Sequence, residues 1–130
     1  MLVIDASVAV TACLSRQGFA GLYDEQLVAP PLLWPEGRSA LHTMAWRGEA
    51  LTDEARYAAE LLDAAPIEAR DPSSLGREAW RIADELGWAK TYDAEYLALA
   101  SLLGCRLVTL DARLHRRAAQ LGFVVSPAEL

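Results

Sequence analysis

Asp93 opens the stretch Tyr92-Asp-Ala-Glu-Tyr-Leu-Ala-Leu-Ala100, and from Tyr96 on to Leu103 every residue is apolar except Ser101. A helix over this stretch is a buried one, and a carboxylate at its mouth is costly to desolvate unless a cation, a proton or hydrogen-bond donors compensate. Three other carboxylates hold comparable positions. Asp5 and Asp111 each end a short apolar run, and Glu36 lies near the start of an amphipathic segment. Either aspartate alone reads equally well as a helix N-cap. The four together make an acidic cluster that calls for a cation, even with helix N-termini offsetting part of the repulsion. No His or Cys stands near them at ligand spacing, and oxygen donors alone favour Mg²⁺ or Mn²⁺ over zinc. Phosphoryl or phosphodiester transfer is the natural chemistry of such a site. Ser7 and Thr109 each lie two residues from an acid of the cluster, so either hydroxyl serves the site through water or a cap.

The elements that must bring these residues together follow from periodicity and punctuation. Met1 to Ile4 reads as a strand, followed by a helix with Asp5 or Ser7 near its cap. Gln17 to Glu25 carries Phe19, Leu22 and Tyr23 at helical spacing, weakened by Gly18 and Gly21. Leu27 to Ala29 is a second strand, closed by Pro30 and Pro31. Pro31 to Trp46 is an amphipathic helix in which Pro35 is awkward. Either its first turn is irregular or the helix begins at Pro35, with Glu36 in the first turn.

Thr52 caps a helix bearing Ala55, Ala58, Ala59 and Leu62, and Ile67 to Ala69 is a third strand. Asp71 to Ser74 is turn chemistry before a helix with Ala79, Ile82, Ala83 and Leu86 on one face, stopped by Gly87. The Asp93 helix is capped by Thr91 and ended by Gly104, with Tyr92, Tyr96, Leu99 and Leu103 as the stripe that fixes it to a sheet. Arg106 to Leu110 is a strand, Leu114, Ala118 and Leu121 mark a helix closed by Gly122, and Phe123 to Val125 is a last strand. Strands alternating with helices imply an α/β fold with a parallel sheet covered on both faces. Such sheets place their sites beyond the carboxyl ends of the strands, where strand order reverses.

Composition narrows the rest. With 130 residues and 53% hydrophobic content, one domain with one core is expected. No run of eighteen apolar residues and no signal-peptide pattern occurs, so neither a membrane nor export is expected, and a cytoplasmic location is. The net charge of −6 argues against binding nucleic acid through an overall field but leaves room for a local basic patch. Cys13 and Cys105 read as small core residues without a disulfide, and His42 and His115 as surface or partner-contact residues. Trp34, Trp46, Trp80 and Trp88 read as core or interface anchors.

Four segments together resemble the PIN-domain family, in particular the short bacterial toxins of the VapC type. They are Leu2 to Val8, Glu36 ahead of Ala40-Leu41, Tyr92 to Ala100, and Leu107 to Leu114, in the family's order along the whole chain. The resemblance implies a single PIN domain over residues 1–130, a three-layer sandwich with a five-stranded parallel sheet in the order 3-2-1-4-5. It implies a metal-dependent endoribonuclease, using Mg²⁺ or Mn²⁺, that hydrolyses RNA with a metal-activated water to leave a 5′-phosphate and a 3′-hydroxyl. By position Asp5 and Asp93 would be the main metal ligands, and Glu36 and Asp111 would complete the acidic site directly or through water. The chain departs from the family pattern where Trp34-Pro35 precedes Glu36 and Gly37 follows it. Partners implied are RNA, a small cognate antitoxin and a second copy of the chain. Arg38, Lys90, Arg113, Arg116 and Arg117, near the carboxylates in sequence, are the candidate phosphate contacts.

Other readings compete. A haloacid-dehalogenase-like phosphatase needs a second aspartate where Ser7 stands, and a receiver domain expects paired acids early and a late lysine, whereas the lone lysine is Lys90. A catalytically silent PIN scaffold that only binds a partner, and a housekeeping RNA-processing nuclease, are the alternatives within the family.

Overall fold

Strands as short and apolar as Leu2–Ile4 and Leu27–Ala29 suit the centre of a sheet covered on both faces. The computed structural model describes residues 1–22 and 24–130. Tyr23, expected within a helical turn, lies outside the described residues. Strands β1 (Leu2–Ile4), β2 (Leu27–Ala29), β3 (Ile67–Ala69), β4 (Arg106–Val108) and β5 (Val124–Val125) form an all-parallel sheet in the order β3-β2-β1-β4-β5. Val3 lies opposite Val28 on one side and Leu107 on the other. Leu2, Val3 and Ile4 are all fully buried, the continuous apolar run of a doubly covered parallel strand rather than an alternating one.

Among the described residues six helices connect the strands: α1 (Ala6–Leu14), α2 (Leu33–Trp46), α3 (Thr52–Asp63), α4 (Leu75–Leu86), α5 (Tyr92–Leu103) and α6 (Ala112–Arg117). The first three pack on one another and α4 packs on α5, which itself lies against β1 and β4. Right-handed crossovers set the two groups on opposite faces, because the chain first runs outward from β1 to β3 and then returns to β4. Strand order therefore reverses between β1 and β4, and the crevice beyond their carboxyl ends is the topological switch point. Helix α5 is the most deeply buried, with Ala94 and every residue from Tyr96 to Ala100 inaccessible to solvent.

Three local expectations need correction. Helix α2 begins at Leu33, so Pro35 is its third residue, and the first intrahelical bond is Glu36 N–H to the Leu32 carbonyl at 3.1 Å. The donor missing at Pro35 has no partner in a first turn anyway, so the proline leaves the helix intact. Among its described residues the Gln17 to Glu25 stretch forms a 3₁₀ turn at Ala20–Leu22 and no α-helix, and Gly18 before it stands at φ +55°. Thr52 and Thr91 do not cap with their side chains: Thr52 is already helical, and Thr91 makes no capping bond.

Gly37 has a packing role. A Cβ there would lie 2.8 Å from Leu62 Cδ2 and 3.6 Å from Val10 Cγ2, so its absence lets α2 settle against α3 and α1 directly behind Glu36. Gly37→Val is expected to destabilise the protein by about 1–3 kcal/mol through overpacking. In Gly37→Ala a smaller clash is set against a helix-propensity gain of about 1 kcal/mol. Urea unfolding of the two variants checks this, and equal stabilities for Gly37→Val and wild type would refute it.

Candidate active site

Asp5 follows β1 directly and is the one acidic side chain of the site that is buried, at 5% exposure. The fold compensates it with donors. Val8 N–H, at 3.1 Å, and the Ser7 hydroxyl, at 2.6 Å, both donate to its Oδ1, while the Thr109 hydroxyl donates to its Oδ2. Thr109 is itself buried and accepts the Asp111 N–H at 2.9 Å, and Ser7 Oγ accepts the Leu110 N–H at 3.0 Å. This network ties the end of β1 to the end of β4 across the switch point. It also corrects the expected strand boundary, since β4 stops at Val108 and the next two residues turn to meet Ser7 and Asp5. Burial nevertheless pushes the Asp5 carboxyl above its ordinary pKa, against the pull of these donors, with the Asp111 charge adding to the rise.

Asp111 caps α6, accepting Arg113 N–H at 2.9 Å and Leu114 N–H at 3.2 Å. Capping and membership of the acidic site coexist here, so the two readings of a strand-end aspartate were never exclusive. Glu36, in the first turn of α2, accepts the Tyr96 hydroxyl at 2.8 Å. Its pKa is raised by burial first, and then by the charges of Asp93 and Asp5 despite the Tyr96 bond. Asp93, in the first turn of α5, is exposed rather than buried as its sequence context suggested. Its carboxyl is also raised, by partial desolvation and by Asp111, against the opposing pull of Arg117 and Arg113. The four acids are thus one electrostatic unit, each linked to another through space.

Glu36, Asp93 and Asp111 line a cavity of about 500 Å³, whose rim carries Lys90, Arg113 and Arg117. Arg117 lies over the Trp88 ring, 4.9 Å from its centroid, which holds the guanidinium at the rim. Three of the five cations expected near the carboxylates are therefore there. Arg38 is not: it pairs with Asp63 at 3.1 Å and borders a different groove, between α2 and α3. Arg116 does not line the cavity either. Of the tryptophans, Trp46 and Trp80 stand 80% and 67% exposed and anchor nothing in the core.

A family model for the PIN domain matches residues 2–120. The chain belongs to the PIN-domain family. Within it the chain is of the VapC type. VapC ribonuclease Mb0985 of Mycobacterium bovis and ribonuclease VapC9 of Mycobacterium tuberculosis are each 35% identical to it over 118 residues, 88% of this chain and 88% of theirs. The crystal structure of PAE2754 from Pyrobaculum aerophilum shares the fold at a TM-score of 0.72, covering 98% of this chain and 91% of that one at 23% identity.

In this PIN domain three of the four carboxylates are held by their own donors: Asp5 by Ser7 and Thr109, Glu36 by Tyr96, and Asp111 by the start of α6. Among the described residues no three His, Cys, Asp or Glu side chains converge closely enough to enclose an ion by themselves. The donors present are carboxylate and hydroxyl oxygens, a set that suits a hard divalent cation. Mg²⁺ keeps several waters and takes one or two carboxylates, and the cavity is open to water on the side of Asp93 and Asp111.

Two site residues escaped the sequence reading. Tyr96 was assigned to packing alone, although a buried phenol needs a partner for its hydroxyl and lies one helical turn from Asp93. The Trp88–Arg117 pair joins residues from either side of α5 and has no local signal. Tyr96→Phe is expected to lower turnover about tenfold by freeing Glu36, with little loss of stability because the ring still fills its place. Steady-state cleavage together with thermal melting checks this, and unchanged turnover would show that Glu36 does not depend on the bond.

Proposed function

We propose that the protein is a metal-dependent endoribonuclease that acts as the toxin of a toxin–antitoxin pair. What carries this reading is the gathering of four electrostatically linked carboxylates at the switch point: Glu36, Asp93 and Asp111 line a water-accessible cavity with a cationic rim, and Asp5 is buried at the end of β1. The similarity to VapC ribonucleases supports RNA as the substrate. Asp5, Asp93 and Asp111 would hold Mg²⁺ or Mn²⁺, directly or through water, and Glu36 completes the acidic site. When bound, the ion would activate the attacking water and neutralise charge developing on the phosphate.

The chain's own residues do the remaining work. Lys90, Arg113 and Arg117 attract and orient the RNA backbone at the mouth of an otherwise acidic cavity. Ser7 and Thr109 fix the Asp5 carboxylate, and Tyr96 fixes Glu36, so these groups need no reorganisation when the substrate arrives. A single PIN domain over residues 1–130, a homodimer, a cytoplasmic location and a small cognate antitoxin complete the proposal. Among the described residues no helix is long and apolar enough to cross a membrane.

Incubating the purified protein with RNA in Mg²⁺ or Mn²⁺, with and without chelator, tests the activity. Cleavage only with the ion, giving 5′-phosphate ends, is the expected result. No cleavage of any RNA would leave the silent scaffold as the better reading. A short reading frame immediately upstream whose product silences the activity separates a toxin from a housekeeping nuclease.

A further inference from the structure

The acidic cavity continues past Tyr92. A second groove, of about 650 Å³, follows α2 along Pro35, Ser39, Thr43, Met44 and Arg47, and it shares Glu36 and Tyr92 with the cavity as a common wall. Tyr92 stands 59% exposed, although it opens the most buried helix of the protein. The stripe expected on α5 therefore holds for Tyr96 and Leu99 but excludes Tyr92. Among the described residues its hydroxyl makes no hydrogen bond, so the ring is held out into solvent without a structural partner. Cations flank it on both sides, Arg113 and Arg117 at the cavity and Arg47 at the far end of the groove, and Arg47 forms no ion pair among the described residues.

We propose that the RNA strand crosses Tyr92 from the acidic cavity into the α2 groove, with Tyr92 stacking on the base beside the scissile phosphate. The inference rests on the ribonuclease reading and adds a strand-positioning residue to it. An exposed aromatic ring between two depressions offers a face to an unpaired base, and any base has a face to return. The groove's mixture of Ser39 and Thr43 hydroxyls with Met44 and Pro35 suits a nucleoside, which has polar edges on an apolar ring. Glu49 borders the same end as Arg47, so charge there is mixed and stacking rather than backbone attraction supplies the grip. Continuity with the acidic cavity through Glu36 and Tyr92 favours a nucleic-acid strand over a protein segment as occupant.

The test uses oligoribonucleotides spanning a cleaved bond, intact or abasic on one side of it. Tyr92→Ala is expected to raise KM for the intact strand roughly tenfold, the scale of losing one base–aromatic stack, with kcat little changed, while Tyr92→Phe stays near wild type. The abasic strand should cost wild type the same tenfold and cost Tyr92→Ala nothing further. Binding of the same strands to Asp93→Asn, with and without Tyr92→Ala, is measured alongside by fluorescence anisotropy. A tenfold loss of affinity in the absence of any cleavage by wild type would sustain the strand path and overturn the ribonuclease reading. Unchanged affinity and KM in Tyr92→Ala, with cleavage intact, would overturn the strand path alone and leave the α2 groove to a protein partner.

Discussion

Asp93→Asn is expected to reduce RNA cleavage by on the order of a hundredfold to a thousandfold, the scale of losing one preorganised electrostatic group in an active site. The substitution keeps the size of the side chain and removes only its charge. Asp93 is exposed, and its charge is in tension with Asp111 and only partly offset by Arg113 and Arg117. Folding therefore gains nothing from that charge, and the variant should melt at or above the wild-type temperature. Loss of activity without loss of stability is the pattern that separates a functional carboxylate from a structural one. The parallel change at Asp111 discriminates less cleanly, because its carboxylate also caps α6, where losing a cap costs about 1 kcal/mol. Undiminished cleavage by Asp93→Asn, measured on the same RNA and ion as wild type, would remove this residue from the site and with it the main support for the mechanism.

The parallel sheet and the edge at which its acids gather were legible from sequence for a common reason. Short apolar runs ending in aspartate, alternating with helical periodicity, define both the parallel fold and the edge on which its site must lie. Strand order 3-2-1-4-5 came with the family resemblance, and the structure has it. What sequence did not carry was distance. Arg38 lies two residues from Glu36, yet the helix turns it toward Asp63, whereas Tyr96 reaches Glu36 from another element altogether. The relative burial of the acids was also inverted. From its sequence Asp93 reads as the desolvated one because its helix is buried, but in the first turn of α5 Ala94 takes the buried position while Tyr92 and Asp93 are exposed, and Asp5, at the end of β1, is the most buried of the four. The unusual Pro35 and Gly37 around Glu36 proved compatible with a regular helix, one by its place in the first turn and the other by its fit against Leu62.

Removing divalent ions at neutral pH is expected to destabilise the wild type, and Asp5→Asn is expected to abolish that sensitivity. Desolvation, nearly complete at Asp5 and partial at Glu36 and Asp93, raises the pKa of all three in the folded state. A raised carboxyl binds its proton more tightly folded than unfolded, so its contribution to stability is present in full below the ordinary carboxylate range. That contribution is lost as pH rises through the elevated folded value. Without an ion, these three groups therefore make the protein less stable at pH 7 than their acid forms would. Glu68, Glu78 and Glu129 have lowered pKa values and act in the opposite direction, but they belong to surface pairs shared by wild type and variant, so they cancel in the comparison. In Asp5→Asn the amide oxygen still accepts from Ser7 and Val8, and the amide nitrogen can donate to Thr109 Oγ1, so packing survives while the buried charge is gone. Chelator-treated Asp5→Asn should accordingly melt above chelator-treated wild type at pH 7, with the difference shrinking toward acid pH. Mn²⁺ at a hundred times its Kd should stabilise wild type by about 2.7 kcal/mol, a rise of several degrees, and should leave the variant unmoved. Equal melting temperatures for the two chelated proteins across pH, or an equal response to Mn²⁺, would mean that the Asp5 charge is neither a burden on the fold nor a ligand, and that its place beneath the cavity is structural.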